Sequence, residues 1–213
     1  MALKINEIYY SVQGESTHTG RPCIFIRLTY CNLRCSYCDT EYAFYEGKDM
    51  EIAQIMSEIQ QWDCNLVEVT GGEPLFQEEC IDLLHELINS NYEVMLETGG
   101  SLSIFNVPKK VIKIVDFKCP SSKMEKKNLW SIVDDLQGHD EVKFVIGNRE
   151  DFDWAKDKIT EYSLDKICTL LFSPTFGEID PQLIVEWILA DNLPVRMQMQ
   201  MHKMIWSPEE KGV

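Results

Sequence analysis

Three of the chain's cysteines fall within one short stretch, Cys31-Asn32-Leu33-Arg34-Cys35-Ser36-Tyr37-Cys38, with the spacing C-x3-C-x2-C. Three thiolates on so short a loop suit three corners of a cubane iron–sulfur cluster, leaving one iron without a protein ligand. That open corner would let a small molecule bind the cluster and take an electron from it. A structural zinc site normally wants four closed ligands. His18 lies upstream and offers a fourth, so spacing alone leaves zinc open. The other five cysteines, Cys23, Cys64, Cys80, Cys119 and Cys168, are scattered and read as small buried hydrophobes. Clustered thiols mean metal or catalysis more often than disulfides in a reducing compartment.

These residues need a scaffold. Short apolar runs recur at Cys23–Thr29, Leu66–Thr70, Glu93–Glu97, Val111–Phe117, Glu141–Ile146, Ile167–Phe172 and Val195–Met199 and predict strands. Between most of them helical spacing appears: Glu51–Trp62, Gln77–Asn89, Leu129–Leu136, Phe152–Tyr162 and Pro181–Ala190. Asp180-Pro181 reads as an N-cap followed by proline in the first turn. Alternating strand and helix argues for parallel strands with helices outside. Six or seven such units are too few for a closed eight-fold barrel, so an incomplete βα barrel of mostly parallel strands is expected, with a doubly wound sheet as the alternative. Polar residues collect where the runs finish: Thr70, Glu97, Thr98, Asp116, Lys118, Ser173, Gln198, Gln200 and His202. In parallel α/β architectures those ends build the active site.

The whole chain bounds the partners. Its 213 residues carry 20 basic and 35 acidic side chains, a net charge of −15. Such a field repels polyanions, so neither nucleic acid nor an anionic membrane is an expected partner. No uncharged run approaches the length of a membrane span. Met1-Ala2-Leu3-Lys4-Ile5-Asn6-Glu7 has no basic-then-apolar leader, and no linker or low-complexity tract interrupts the chain. The expectation is one cytoplasmic domain over residues 1–213.

The cysteine triad after the first apolar strand has the aromatic Tyr37 before its last cysteine. Thr70-Gly71-Gly72-Glu73-Pro74 ends the next strand. Together they resemble the radical S-adenosylmethionine superfamily, in which the glycine-rich stretch meets the cofactor's amino group. A narrower resemblance, to the 7-carboxy-7-deazaguanine synthases, rests on several more stretches. They are Ser11-Val12-Gln13-Gly14-Glu15, Gly20-Arg21-Pro22, Phe25-Ile26-Arg27-Leu28, Cys38-Asp39-Thr40, Glu97-Thr98-Gly99-Gly100, Lys118-Cys119-Pro120-Ser121-Ser122 and Gln200-Met201-His202-Lys203. It runs from about residue 5 to 203. Ser16 stands where that family usually has glycine. Residues beyond Trp206 find no match, and residues 140–165 match in pattern only.

The resemblance implies a radical SAM-type partial barrel and conversion of 6-carboxy-5,6,7,8-tetrahydropterin to 7-carboxy-7-deazaguanine with loss of ammonia. It implies that Cys31, Cys35 and Cys38 ligate a [4Fe-4S] cluster, whose open iron binds S-adenosylmethionine and cleaves it to a 5′-deoxyadenosyl radical. It assigns Val12, Gln13, Gly14, Glu15, Arg27 and Thr70 to the substrate. It assigns Tyr37, Cys38, Asp39, Gly72, Asp116, Phe117, Lys118, Ser173, Pro174 and Thr175 to S-adenosylmethionine, and Thr40 to Mg2+. A hard Mg2+ keeps water or substrate oxygens, so one hydroxyl can be its sole protein ligand. A reductant such as flavodoxin or ferredoxin and a homodimer are implied as well.

Arg27 has a physical reading of its own. A guanidinium in an apolar strand needs a partner, and its planar fork suits a substrate carboxylate or a local acid such as Glu15 or Glu41. Gln13 and Glu15 offer an amide and a carboxylate to a pterin edge, or merely form a hairpin turn. His202 and Lys203 either reach the site from the last strand or lie on the surface. Two other functions stay open: an activase of a glycyl-radical enzyme, which shares the triad and Gly-Gly-Glu-Pro, and a zinc-stabilised binding module.

Overall fold

The computed structural model describes residues 2–213; Met1, the first residue of the N-terminal reading, lies outside them. Nine strands form one sheet. In chain order they are β1 (Ala2–Val12), β2 (Pro22–Leu28), β3 (Lys48–Glu51), β4 (Leu66–Gly71), β5 (Glu93–Thr98), β6 (Ile112–Asp116), β7 (Glu141–Ile146), β8 (Thr169–Pro174) and β9 (Arg196–Met197). The helices are α1 (Ile52–Ile59), α2 (Cys80–Asn89), α3 (Arg149–Tyr162), α4 (Pro181–Asp191) and α5 (His202–Ile205). The spatial order is β3-β1-β2-β4-β5-β6-β7-β8-β9. From β2 to β9 every pairing is parallel, whereas β1 runs antiparallel to both β2 and β3. The sheet does not close.

The seven strands legible from sequence are the seven parallel ones. Two were missed. In β1 the register shifts between Ile5 and Glu7, and such a bulge breaks the alternation that announces a strand. β3 is too short to show a period. Leu129–Leu136 is not an α-helix but a 3-10 segment, Trp130–Asp135. It is anchored by Trp130, whose ring stacks between Phe117 at 4.5 Å and Tyr162 at 4.4 Å. The last strand shrinks from Val195–Met199 to Arg196–Met197.

Side chains of each parallel strand alternate between two faces. The outer face, with Ile24, Ile26, Val67, Val69, Leu96, Val115, Phe144 and Phe172, packs in one core with Ile55, Ile59, Leu84, Leu87, Phe152 and Ile184 of the helices. Three of those helices begin on sequence signals: a Glu51/Gln54 capping box for α1, Asn148 for α3, and Asp180 with Pro181 for α4. The inner face is layered. Cys23, Phe25, Leu66, Met95 and Ile114 form a small apolar floor. One step further along the same strands come Arg27, Glu68, Glu97 and Asp116, with Lys143 on the neighbouring β7. The turn between β1 and β2 caps the N-terminal ends: Thr17 donates to Glu141, and Arg21 forks onto Glu93 at 2.9 and 2.5 Å. No helix among the described residues is long and apolar enough to cross a membrane.

Candidate active site

A cavity of about 610 Å³ opens at the C-terminal ends of the parallel strands. The loop after β2 brings Cys31, Cys35 and Cys38 to its wall, all with free thiols. Two neighbouring loops hold the cysteine loop in place. Ser36 donates from its backbone to the Ser122 carbonyl at 3.1 Å and from its hydroxyl to the Ser121 carbonyl at 2.6 Å. Behind it, the Glu73 amide donates to the Tyr30 carbonyl at 2.8 Å. Gly72 is required there: a Cβ would collide with that carbonyl oxygen and stand 2.8 Å from the Cys31 Cβ. Burial raises the Cys31 thiol and pushes Cys35 up to about 11, so taking up metal must release protons.

His18 is far from this. It faces Glu93 at 3.3 Å and Glu141 at 4.0 Å beneath the floor, so it cannot complete a zinc site with the triad. Among the described residues no three metal-binding side chains converge as ligands of a single ion would. Three thiolates that each hold a different iron of a cubane need no such convergence.

The residues that the resemblance assigns to the substrate meet at this cavity. Val12, Gln13, Gly14, Glu15, Arg27 and Thr70 all line it. The Arg27 Nε donates to Glu7 at 2.8 Å and its Nη2 to the Tyr9 hydroxyl at 3.0 Å. Its acid partner is therefore Glu7, neither Glu15 nor Glu41. Burial works against the guanidinium's charge, but Tyr9, Tyr42 and Glu7 hold its pKa above the ordinary value. Gln13 accepts from the Glu15 amide at 3.0 Å and donates to Glu68. Glu15 binds Lys143 at 2.9 Å, Gln200 at 2.9 Å and Gln198 at 3.1 Å. Burial alone would raise the Glu15 carboxyl, yet Lys143 and Gln200 bring it below its usual range. Lys143 also pairs with Glu97 and approaches Asp116 at 3.7 Å.

Tyr37, Cys38, Asp39, Thr40, Gly72, Asp116, Lys118, Ser173, Pro174 and Thr175 line the same cavity. Phe117 does not: its side chain is fully buried on the outer face against Trp130, because it alternates with Asp116 and Lys118. Only its backbone is near the site. Lys118 pairs with Asp116 at 2.9 Å; burial opposes its charge, and Asp116 raises it nonetheless. Thr40 lies beside the triad, its hydroxyl 3.8 Å from the Cys38 sulfur. His202 and Lys203 reach the cavity from α5 rather than from the last strand. Lys203 pairs with Asp39 at 2.7 Å. Of the scattered cysteines, Cys23, Cys80 and Cys119 are buried as expected, whereas Cys64 and Cys168 are only half-buried.

Sequence reading missed Glu68, Lys143, Tyr9 and Tyr42, and the return of Pro208–Val213 to the cavity wall. Glu68 and Lys143 did leave a trace. Glu68 is the lone charge in its apolar run, and Lys143 shares its run only with Glu141; both are in phase with the inward residues.

Among the described residues three buried polar atoms lack a partner: the Tyr37 hydroxyl, Asp116 Oδ1 and the Thr175 hydroxyl. All three belong to residues on the cavity wall, and a buried polar group without a partner is costly unless a ligand supplies one. The donor set, three free thiols beside orphaned polar groups, fits a thiolate-held cluster with a polar cosubstrate.

The radical SAM superfamily model matches residues 25–121. The 7-carboxy-7-deazaguanine synthase of Koribacter versatilis (strain Ellin345) is 45% identical, the match covering 99% of this chain and 100% of that one. Its counterpart in Chlorobaculum tepidum is 43% identical over 99% of this chain and 97% of its own. The chain belongs to the 7-carboxy-7-deazaguanine synthase family. In fold it is similar to the crystal structure of QueE from Escherichia coli, with a TM-score of 0.80, 23% identity and 95% of each chain covered. It is also similar in fold to Streptococcus suis SuiB bound to S-adenosylmethionine, with a TM-score of 0.56, 13% identity and coverage of 80% of this chain and 45% of that one. As a radical SAM enzyme of the 7-carboxy-7-deazaguanine synthase family, it works with a [4Fe-4S] cluster, S-adenosylmethionine, a reductant and a small-molecule substrate.

In this family setting Ser16 has a physical cost. Its φ is +62°, a left-handed conformation that glycine adopts freely and serine does not. The Ser16 hydroxyl offsets part of that cost by accepting from the His18 amide at 3.0 Å.

Proposed function

We propose that this chain converts 6-carboxy-5,6,7,8-tetrahydropterin to 7-carboxy-7-deazaguanine, releasing ammonia, on one domain spanning residues 1–213. The observation that carries the reading is the shared lining of one cavity. Three free thiols and a fixed guanidinium, an amide and an ionised carboxylate line the same space.

Cys31, Cys35 and Cys38 would hold the cluster, and Tyr37, Asp39, Gly72, Asp116, Lys118, Ser173, Pro174 and Thr175 would hold S-adenosylmethionine. Bound there, these groups supply a carbon radical able to remove a substrate hydrogen. The protein's share is binding and aim. Glu7 and Tyr9 use two of the Arg27 donors, which fixes the fork and leaves donors for the substrate carboxylate. Glu15, kept ionised by Lys143, suits the amino and ring N–H donors of a pterin edge. Thr70 and the backbone at Val12 and Gly14 complete the wall. The Thr40 hydroxyl would take Mg2+ together with water and substrate oxygens.

The family relationship favours this reading over an activase, and the position of His18 counts against a zinc module. We further propose that the enzyme works in the cytoplasm as a homodimer and takes its electron from flavodoxin or ferredoxin. The test is anaerobic. Protein with a reconstituted cluster is mixed with dithionite, S-adenosylmethionine, Mg2+ and 6-carboxytetrahydropterin, and products are followed by mass spectrometry. The expected outcome is 7-carboxy-7-deazaguanine that disappears when any one of the three cysteines is changed to alanine. Formation of 5′-deoxyadenosine without that product would reject the substrate.

A further inference from the structure

One carboxyl on the inner face stands apart from its neighbours. Glu15, Glu97 and Asp116 share Lys143, and Asp116 also has Lys118. Glu68, 4% exposed on the cavity wall, has no ion-pair partner among the described residues. Its recorded bond is the one it accepts from the Gln13 amide. The groups that face it are Glu97 on β5, Glu15 on the turn after β1, Tyr9 on β1, Cys23 on β2 and Lys143 on β7. Two of these are carboxyls, and the one cation among them is already bonded to both.

We propose that Glu68 is a catalytic residue, a carboxylic acid held protonated in the cavity wall that passes its proton to the departing nitrogen of the substrate. This rests on the reaction proposed above. Substrate and products there differ by the elements of ammonia, so no net oxidant enters. As the C–N bond breaks, its electron pair goes to nitrogen and the Glu68 proton follows. The carboxylate left behind removes a C–H proton as the contracted ring becomes aromatic, and that C–H pair enters the ring. Each turnover moves one proton from carbon to nitrogen and restores the acid.

Position supports the assignment. Glu68 lies on the inward phase of β4, two residues before Thr70, and so borders the same end of the cavity as Arg27 and Glu15. Burial, then Glu97 and Glu15, push its carboxyl up to about 8, near the range in which an acid both gives and regains a proton at neutral pH. Gln13 orients it, and Gln13 is itself fixed by the Glu15 amide.

Glu68→Gln tests this, because it keeps the shape and a carbonyl acceptor for Gln13 while removing the proton. The first readout is infrared: a protonated-carboxyl C=O stretch that fades near pH 8 should appear in the wild-type-minus-E68Q difference spectrum at pH 7. The second is the ratio of 7-carboxy-7-deazaguanine to 5′-deoxyadenosine, which should fall by about 100-fold or more, with loss of the alkaline limb of the pH profile. Glu68→Asp, which retains an acid, should recover part of that ratio. A wild-type-minus-E68Q difference spectrum that lacks this band overturns the proposal, as does an E68Q ratio and pH profile matching wild type. If E68Q does not fold, the wild-type band decides alone, and its absence overturns the proposal. Wild-type enzyme that makes no 7-carboxy-7-deazaguanine overturns the substrate and the proton route together. Turnover by wild type with an unaltered E68Q overturns the proton route alone.

Discussion

A carboxyl such as Glu68 couples catalysis to stability, because its proton is bound more tightly in the folded chain than in the unfolded one. Its pKa rises on folding from 4.5 to about 8. The contribution is therefore complete below pH 4.5 and is lost as the pH climbs toward 8. Glu68→Gln has no proton to lose, so its Tm should vary less than wild type across that window; parallel Tm curves would show that folding does not move this group. Two other side chains make sharper predictions. Cys35→Ala leaves two thiolates for a cluster that needs three corners held, so reconstituted protein should lose its brown absorbance. Colour with turnover in that variant would remove Cys35 from the ligand set. Thr40→Ala deletes one hydroxyl beside Cys38 and should weaken the response to Mg2+ while sparing the cluster. An unchanged Mg2+ titration would take Thr40 out of the site.

Elements decide whether those residues meet. The Gly71-Gly72 corner that ends β4 is backed onto the cysteine loop so closely that Gly72→Ala must push Tyr30 and Cys31 aside. Cluster loading should then fall several-fold while the far-UV spectrum stays that of wild type; normal loading would mean that the corner gives way instead. This corner was legible in the sequence because glycine pairs, cysteine triads and parallel strands all leave local patterns. What local pattern does not carry is pairing across the sheet. The bulge in β1 inverted its phase, so the strand that supplies Tyr9, Val12 and the Arg27 partner Glu7 went unseen. Arg27 was correctly read as a buried cation needing an acid, but that acid sits opposite it on β1, where neither Glu15 nor Glu41 is. The resemblance assigns Phe117 together with Asp116 and Lys118, although alternation sends its side chain outward. Lys143 and Glu68 are charges inside apolar runs, and only the packing of the inner face explains them.

The whole molecule is an open sheet whose gap is bridged by side chains instead of a strand ladder. Between the turn after β1 and the segment after β9, one backbone bond is made, from the Met201 amide to the Gly14 carbonyl at 2.9 Å. The rest is amide chemistry. The Ser16 amide donates to Gln198 Oε1 at 2.8 Å, and Gln198 and Gln200 both donate to Glu15. Gly14 leaves no room for a side chain against His202, whose ring carbon would stand 3.1 Å from a Cβ. The turn after β1 and the C-terminal segment are therefore packed as one wall, and Lys203 extends it to Asp39 on the cysteine loop. A wall held by a few side chains should open at lower free energy than the parallel sheet. Gln198→Ala tests this, because it strands the buried Ser16 amide and removes a donor from Glu15. Stability to denaturant should fall by about 1–3 kcal/mol. In native-state hydrogen exchange, the Ser16 and Met201 amides should lose protection well beyond any loss at Val67 or Leu96. Equal losses at all four would mean that the seam opens only when the whole sheet does.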